Sequence, residues 1–321
     1  IAFHHGSCAF TLSGSSKRRH TVSLSSRRAA ATAEGRYGDP TYWEDRFRTQ
    51  DKGMYQDRID DRGNGWLCAY EGPLKETLGF ITGGDKNTRI LNLGCGVDRL
   101  SEDLYADGYE NLLSVDYSKS AIEEMRKRTA ETMPKAQWEV EDAMKMRIPP
   151  QDIDIVVDKG TLDAILAGPS PVLSAAKMLS EVQRILPVGG IYVLVTHGRG
   201  DAKQNRLPLL TMPHLRFDIN LTPDFGGYFI FLCRKLEQMS PEEQQQSWEA
   251  AEKWAIAEDE AGERLAAAAE AADVTAAAVA AAAAPAVDVS ASAPSPAAAA
   301  SAAASSAGKA GGSAGGATPF M

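Results

Sequence analysis

Cysteine and long apolar runs are both scarce in this chain. Of 321 residues only four are cysteine, and none forms a CxxC pair or another spacing typical of metal ligands. They are Cys8, Cys68, Cys95 and Cys233. This pattern favours a reducing compartment and no zinc site. The alanine-rich run 276–284 is too short to cross a bilayer and is bounded by Asp273 and Pro285, so we expect no membrane span.

Acidic residues are missing from the first 33 residues, although the whole chain has a net charge of −9. Residues 1–36 are rich in Ser, Arg and Ala, which is typical of an organellar transit peptide and equally of a disordered basic arm. We expect a cytoplasmic protein, with a plastid or mitochondrion as the alternative if the arm is a transit peptide. The rest of the chain is acidic, which disfavours a nucleic acid partner and is compatible with a lysine-bearing protein surface. Solubility alone explains this charge equally well.

Large apolar residues are almost absent beyond Ala271, where Ala, Ser, Gly and Pro prevail. Such a composition cannot bury a core, so residues 271–321 are predicted to form a disordered tail. Residues 240–270 are rich in Glu, Gln and Ala and begin near Pro241, which predicts a helical extension. The patterned region 37–239 is long enough for one globular domain.

Strand-length apolar runs alternate with helical patterns through this domain, which indicates a parallel sheet with helices on both faces. The last two strands are joined by a short turn and predict an antiparallel hairpin. The predicted strands are 89–93, 112–115, 137–140, 153–157, 191–196, 215–221 and 228–234, and the predicted helices are 99–106, 119–129 and 171–186.

Two glycines end the first of these strands. Gly94 and Gly96 lack a Cβ, so the backbone can turn tightly from strand into helix and approach a ligand closely. Asp116 ends the next apolar run, where a carboxylate can accept hydrogen bonds from the hydroxyls of a ribose. Together these residues predict an adenosine site.

A third glycine is absent from the turn. A dinucleotide-binding turn has the pattern Gly-x-Gly-x-x-Gly, but Arg99 occupies the third position. Asp98 can cap the following helix, yet it would also repel a phosphate. S-adenosyl-L-methionine (SAM) carries an adenosine without phosphate and is therefore favoured.

Five segments resemble the class I SAM-dependent methyltransferases, and within them the group that methylates lysines of translation elongation factor 1A. These segments are 42–47, 66–70, 90–101, 115–118 and 156–164. The most group-specific stretch is the Asp-Lys-Gly-Thr-Leu-Asp string at 158–163. The resemblance implies a Rossmann-like α/β fold with a seven-stranded, mostly parallel sheet, helices on both faces and an antiparallel last strand.

The resemblance also implies contacts with the cofactor. Gly94 and Gly96 would approach its methionine part and ribose, with Asp116 on the ribose and Tyr117 against the adenine. Asp142 would accept from the adenine amino group, and Ala143 would contact it through the backbone. Each has a plainer interpretation as a turn, a helix cap or a surface acid.

On the fourth strand, Lys159 would touch the cofactor, with a salt bridge to Asp158 or Asp163 as the alternative. Asp158 and Asp163 are the candidates for orienting a substrate ammonium group, and both are equally compatible with structural roles. His197, after the fifth strand, is interpreted as structural.

Trp43, Phe47 and Trp66 match the aromatic positions of the family's lid, where rings would attract the sulfonium cation. Packing of an N-terminal helix is the alternative. The sequence departs from the group's pattern in two places: Phe47 replaces a commoner tyrosine, and residues 97–98 are Val-Asp instead of Asn-Ser.

These observations predict a SAM-dependent methyltransferase that transfers a methyl group directly to a protein lysine, without a metal. The expected partner is a protein substrate, with elongation factor 1A as the candidate, and neither nucleic acid nor membrane. A small-molecule methyltransferase and a SAM-binding scaffold without turnover stay open. Specificity would depend on inserted loops, of which 198–214, with Arg206, is the chief candidate.

Overall fold

The computed structural model describes residues 37–49, 66–197, 202–222, 225 and 227–283. The predicted basic arm at 1–36 and the part of the predicted tail beyond residue 283 lie outside the described residues. The chain divides into two units, 1–274 and 275–321. The fold and the site described below belong to the first unit.

Seven strands form one sheet in the order β3-β2-β1-β4-β5-β7-β6. Strands β1 to β5 pair in parallel, whereas β7 is antiparallel to both of its neighbours, β5 and β6. The predicted fold class and the predicted antiparallel last strand are therefore confirmed. The strands are β1 (Ile90–Leu93), β2 (Leu112–Asp116), β3 (Gln137–Val140), β4 (Ile155–Lys159), β5 (Ile191–His197), β6 (Phe217–Leu221) and β7 (Tyr228–Lys235).

Helices cover both faces of this sheet, as the two apolar clusters packed on it show. Lys119–Thr129 has the predicted bounds, because Ser118 caps its first turn by accepting a hydrogen bond from the Ala121 amide. The described helices are α1 (Pro40–Arg48), α2 (Pro73–Ile81), α3 (Leu100–Ala106), α4 (Lys119–Thr129), α5 (Thr161–Leu166), α6 (Pro171–Ile185), α7 (Ala202–Leu210) and α8 (Pro241–Ala283).

The central strands are buried on both faces. Every residue of β1 and β2 is buried, which explains why these strands read as continuous apolar runs rather than alternating ones. On α6, Val172, Ala175, Leu179 and Val182 are buried at helical spacing and pack in the same cluster as Leu91 of β1. The sheet is thus held rigidly between helices, and its carboxyl edge is left to form a site.

Two predictions about the carboxyl-terminal half are corrected. Residues 202–210, predicted to belong to a specificity loop, form α7, and the Arg206 side chain is buried. The helical extension, predicted to end at residue 270, continues to Ala283. Alanine has the highest helix propensity, so a segment without core-forming residues can still remain helical.

Helix α8 contributes directly to the fold. Ala251 and Ala255 are buried in the core. Asp259 accepts hydrogen bonds from the backbone N–H groups of Val172 and Leu173, at 3.0 and 3.1 Å. Ser170, the N-cap residue of α6, makes no capping bond with its side chain. Asp259 therefore caps α6 from a different helix. Among the described helices, none has the length and apolarity that a bilayer crossing requires.

Candidate functional site

The turn after β1 depends on its two glycines. Gly94 and Gly96 have φ angles of 65° and 51°, in the left-handed region that favours glycine. A Cβ on Gly94 would lie 2.1 Å from the Thr161 side-chain oxygen, which itself donates a 2.8 Å hydrogen bond to the Leu93 carbonyl. A Cβ on Gly96 would approach the Phe47 ring at 3.3 Å. The turn is thus fitted closely between α5 and α1.

Asp116, at the carboxyl end of β2, is linked to this turn. One of its oxygens accepts from the Gly96 amide at 2.8 Å, and the other accepts from the Ser118 amide at 2.9 Å. The residue is 7% exposed, and burial raises the pKa of its carboxyl group, while the two amide bonds act in the opposite direction. Asp116 is therefore fixed in orientation and retains lone pairs that a ligand's hydroxyl groups can use.

A cavity of about 1460 Å³ opens at this edge of the sheet. All residues predicted to contact the cofactor line it, so the structure brings the predicted set together; contact with SAM itself stays a prediction. These residues are Trp43, Phe47, Trp66, Gly94, Gly96, Asp116, Tyr117, Asp142, Ala143 and Lys159. Pockets for drug-sized ligands have volumes of about 300–1000 Å³, so this cavity has room for a cofactor and part of a second substrate.

Aromatic rings form one wall of the cavity. The Trp43 ring lies between those of Tyr37 and Phe47, with centroid distances of 5.7 and 5.8 Å and nearly parallel planes. The Trp66 ring meets Trp43 edge-on at 6.0 Å. Trp43 also donates from its indole nitrogen to the Tyr37 carbonyl at 2.7 Å. The rings pack against one another and also line the cavity, and their contact with a sulfonium stays a prediction.

The opposite wall contains the adenine side of the predicted site. Tyr117, which follows β2, and Val140, the last residue of the edge strand β3, are 38% and 37% exposed and line the cavity. Asp142 accepts from the Met144 amide at 2.9 Å through one oxygen, which fixes the loop after β3. These residues form an apolar surface with a carboxylate at its edge, which suits a purine with an amino group.

Lys159 joins β4 to the segment that precedes α2. Its ammonium group donates to the Trp66 carbonyl at 2.6 Å and to the Asp98 carboxylate at 3.0 Å. Asp98 also accepts from the amides of Trp66 and Leu100. The salt bridge considered for Lys159 thus exists, but with Asp98 rather than with Asp158 or Asp163. Asp98, one of the departures from the group's pattern, is therefore the residue that orients Lys159.

The prediction that Asp158 faces the substrate is corrected. Asp158 is fully buried and does not line the cavity. Its oxygens accept from the amides of Thr161 and Leu162 and, at 2.8 Å, from the Tyr192 hydroxyl. Burial raises the pKa of Asp158 to about 7. The residue caps α5 and anchors it to β5.

Asp163, the second candidate for orienting the substrate, is also absent from the cavity wall, and its contacts favour the structural alternative. Its carboxylate pairs with Arg206 at 2.6 Å and accepts from the Thr196 hydroxyl and the His197 amide, at 2.5 and 3.1 Å. Arg206 is 5% exposed. The alternative considered for Asp163, a pair partner, describes its position, and the pair fixes α7 to α5 and β5.

Two further contacts at the site were not predicted. Glu44 of α1 accepts hydrogen bonds from the hydroxyls of Ser118 and Ser120, each at 2.5 Å. Gly38, before α1, lies against Gly168, since a Cβ there would come within 2.0 Å of the Gly168 nitrogen. Residues 42–47 were recognised only for their rings, and nothing in the sequence distinguished Glu44 from the neighbouring Asp45 as the acid that makes this contact.

Comparison with known proteins decides the family. Residues 84–254, more than half of the chain, match the family described as "Methyltransferase domain". The chain belongs to this methyltransferase family.

Individual relatives of this methyltransferase-family chain align over half of its length. The "EEF1A lysine methyltransferase 4" of Mus musculus is 34% identical over 169 residues, covering 50% of this chain and 61% of that protein. The "eEF1A lysine and N-terminal methyltransferase" of Bos taurus is 31% identical over 163 residues, covering 50% of this chain and 22% of that protein. A solved structure, a TehB-like SAM-dependent methyltransferase from Corynebacterium glutamicum, aligns at 17% identity with a TM-score of 0.44, covering 61% of this chain and 100% of that chain.

The site of this methyltransferase-family protein fits SAM. The bare glycine turn, the fixed carboxylate of Asp116 and the exposed Tyr117 suit an adenosine, and the aromatic wall suits a sulfonium cation. Lys159 and Asp98 also line the cavity, where their salt bridge joins β4 to the glycine turn. Within the described residues, no group of three or more His, Cys, Asp or Glu side chains is arranged to hold a metal ion.

Proposed function

We propose that this protein is a SAM-dependent methyltransferase that methylates lysine on a protein substrate, with translation elongation factor 1A as the candidate substrate. The observation that carries the proposal is the single cavity shared by the glycine turn, Asp116 and the aromatic wall. A site with a fixed ribose acceptor and no third glycine favours SAM over a dinucleotide.

The lysine substrate rests on two further arguments. The relatives that align over half of this chain are named as methyltransferases of elongation factor 1A. The chain carries a net charge of −9, which would attract a basic protein surface. The chain spans only 61% and 22% of these two relatives, so their substrates are carried over as part of the proposal.

Methyl transfer requires mainly that the protein position the two reactants. When bound, SAM supplies an electrophilic methyl group, and an amine can accept it only after losing its proton, since the lysine pKa is about 10.4. Asp158 and Asp163 are already engaged by backbone and side-chain partners, so no acid of the fourth-strand motif is assigned as a base. The rigid sheet edge instead holds the two reactants in register, which is a large part of the rate gain in displacement reactions.

The test is incubation of the full chain with SAM labelled in its methyl group, together with purified elongation factor 1A or with a small-molecule extract. Mass spectrometry should find labelled lysine in the factor. The Asp116→Asn variant should lose this label, and the control Asp45→Asn, an exposed acid of α1, should keep it. Label only in the extract would favour a small-molecule methyltransferase, and SAM binding without label would favour a scaffold. Absence of SAM binding would overturn the proposal.

A further inference from the structure

Helix α1 lines the cavity and, with the residues just before it, contacts two other parts of the fold. Before its first turn, Gly38 contacts the Gly168 backbone beside α5. Its ring-bearing face, with Trp43 and Phe47, lines the cavity. Phe47 lies over the glycine turn, within 3.3 Å of where a Cβ of Gly96 would be. A cofactor bound in the cavity would therefore lie against this face of α1.

The second attachment is polar and is made by Glu44. One carboxylate oxygen accepts from the Ser118 hydroxyl at 2.5 Å, and the other accepts from the Ser120 hydroxyl at 2.5 Å. The Ser120 amide also points to this carboxylate, at 3.3 Å. These donors belong to the first turn of α4, where the positive end of the helix dipole favours an anion. The bonds lower the pKa of Glu44, so the group is ionised at neutral pH.

The same serine joins Glu44 to the ribose acceptor. The Ser118 amide donates to Asp116 at 2.9 Å, while its hydroxyl donates to Glu44. Glu44 does not line the cavity, so it has no direct contact to offer a cofactor. Its carboxylate can act only by holding the aromatic helix against the strand end that carries Asp116.

We infer that Glu44 is a positioning residue: its bonds to Ser118 and Ser120 hold α1 closed over the cofactor, and these bonds must open for the cofactor to enter and leave. The inference rests on the proposed SAM site and concerns how that site is closed. Glu44 would therefore increase the affinity of the cofactor and slow its dissociation. It would have no role in the methyl transfer itself.

The test compares four variants of the full chain with wild type. Glu44→Ala removes both bonds, Ser120→Ala removes one, and Glu44→Gln keeps an acceptor for Ser118 and can donate to Ser120. Asp45→Asn is the matched control, because Asp45 is an exposed neighbour whose carboxylate pairs with Arg48. The measurements are the Kd of S-adenosylhomocysteine by calorimetry, its dissociation rate, and hydrogen exchange in residues 41–48.

Glu44→Ala should weaken S-adenosylhomocysteine binding about tenfold, mainly through faster dissociation, and speed exchange in residues 41–48. Ser120→Ala should give an intermediate loss. Glu44→Gln should stay within about threefold of wild type, since most of the bonding geometry survives. With saturating SAM, kcat of Glu44→Ala should change far less than the KM for SAM. A helix that only stabilised the fold would lower the melting temperature without this split.

Glu44→Ala protein that is folded and binds as tightly as Asp45→Asn would overturn the inference. If Glu44→Ala does not fold, Ser120→Ala decides, and unchanged affinity with unchanged exchange in 41–48 would overturn it. If wild type binds neither SAM nor S-adenosylhomocysteine, the proposed function fails separately. Hydrogen exchange in the ligand-free variants then tests whether Glu44 holds α1. Equal exchange rates in residues 41–48 for Glu44→Ala and Asp45→Asn would show that it does not.

Discussion

The two glycines at 94 and 83 have nearly the same backbone conformation and very different surroundings. Their φ angles are 65° and 59°. A side chain in this region costs roughly 1–2 kcal/mol at either position. Nothing lies within 4 Å of a Cβ on Gly83, whereas a Cβ on Gly94 would lie 2.1 Å from the oxygen and 2.8 Å from the methyl carbon of Thr161. Substituting each by alanine therefore separates backbone strain from steric overlap.

Gly94→Ala must displace Thr161, which then loses its bond to the Leu93 carbonyl. Adding the overlap and this lost bond to the strain, we expect Gly94→Ala to lower the free energy of unfolding by about 3–6 kcal/mol. Gly83→Ala should lower it by only about 1–2 kcal/mol. Urea denaturation with unchanged slopes measures both values.

A double variant tests the steric overlap between a Cβ at position 94 and the Thr161 side chain. In a chain that already carries Thr161→Ala, the cost of Gly94→Ala should fall by about 1–2 kcal/mol, because the clashing oxygen is gone. Equal losses for Gly94→Ala and Gly83→Ala, or no coupling to Thr161, would refute the close fit described for this turn. The fit also explains why the turn can present its backbone to a ligand without deforming.

Three other substitutions test the site. Asp116→Asn should raise the Kd for S-adenosylhomocysteine about 10–100-fold, since charge-assisted hydrogen bonds contribute about 1.5–3 kcal/mol each; an unchanged Kd in calorimetry would contradict this. Because burial raises the pKa of Asp158 to about 7, the folded protein holds a proton there that the unfolded chain releases near pH 4. Wild type should therefore lose stability relative to Asp158→Asn as the pH rises from about 4 to 7, and a constant difference in denaturation midpoints would argue against it. Asp163→Ala leaves the buried Arg206 without its carboxylate and should cost about 3–5 kcal/mol in unfolding free energy, whereas a loss below about 1 kcal/mol would show that the pair does not hold α7.

Local patterns located the central strands and helix α4, whereas the strand count and most of the predicted cofactor contacts came from the family resemblance. Strands β1 and β2 could be located because they are buried on both faces and read as apolar runs that end in Gly94 and Asp116. Helix α4 could be bounded because Ser118 caps it and because basic residues close its last turn. In both cases the deciding signal lies within a few residues of the structure it specifies.

The sequence did not predict which side chains from distant segments contact one another. Neighbours on a strand point to opposite faces, so Lys159 reaches Asp98 while Asp158 reaches Tyr192. The sequence does not show which of the two faces the cavity. Glu44 and Ser120 are far apart in the chain, and only the packing of α1 on α4 brings them together. Tertiary partners of this kind determine whether an acid is available for chemistry.

The cap that Asp259 provides has a practical consequence for where the protein can be cut. The family match ends at residue 254, so a fragment trimmed to that boundary would lack Asp259. The amides at the start of α6 would then lose their anionic partner, and the first turn of α6, where Ser174 borders the cavity, would fray. Recombinant fragments meant for ligand binding should therefore extend beyond Asp259.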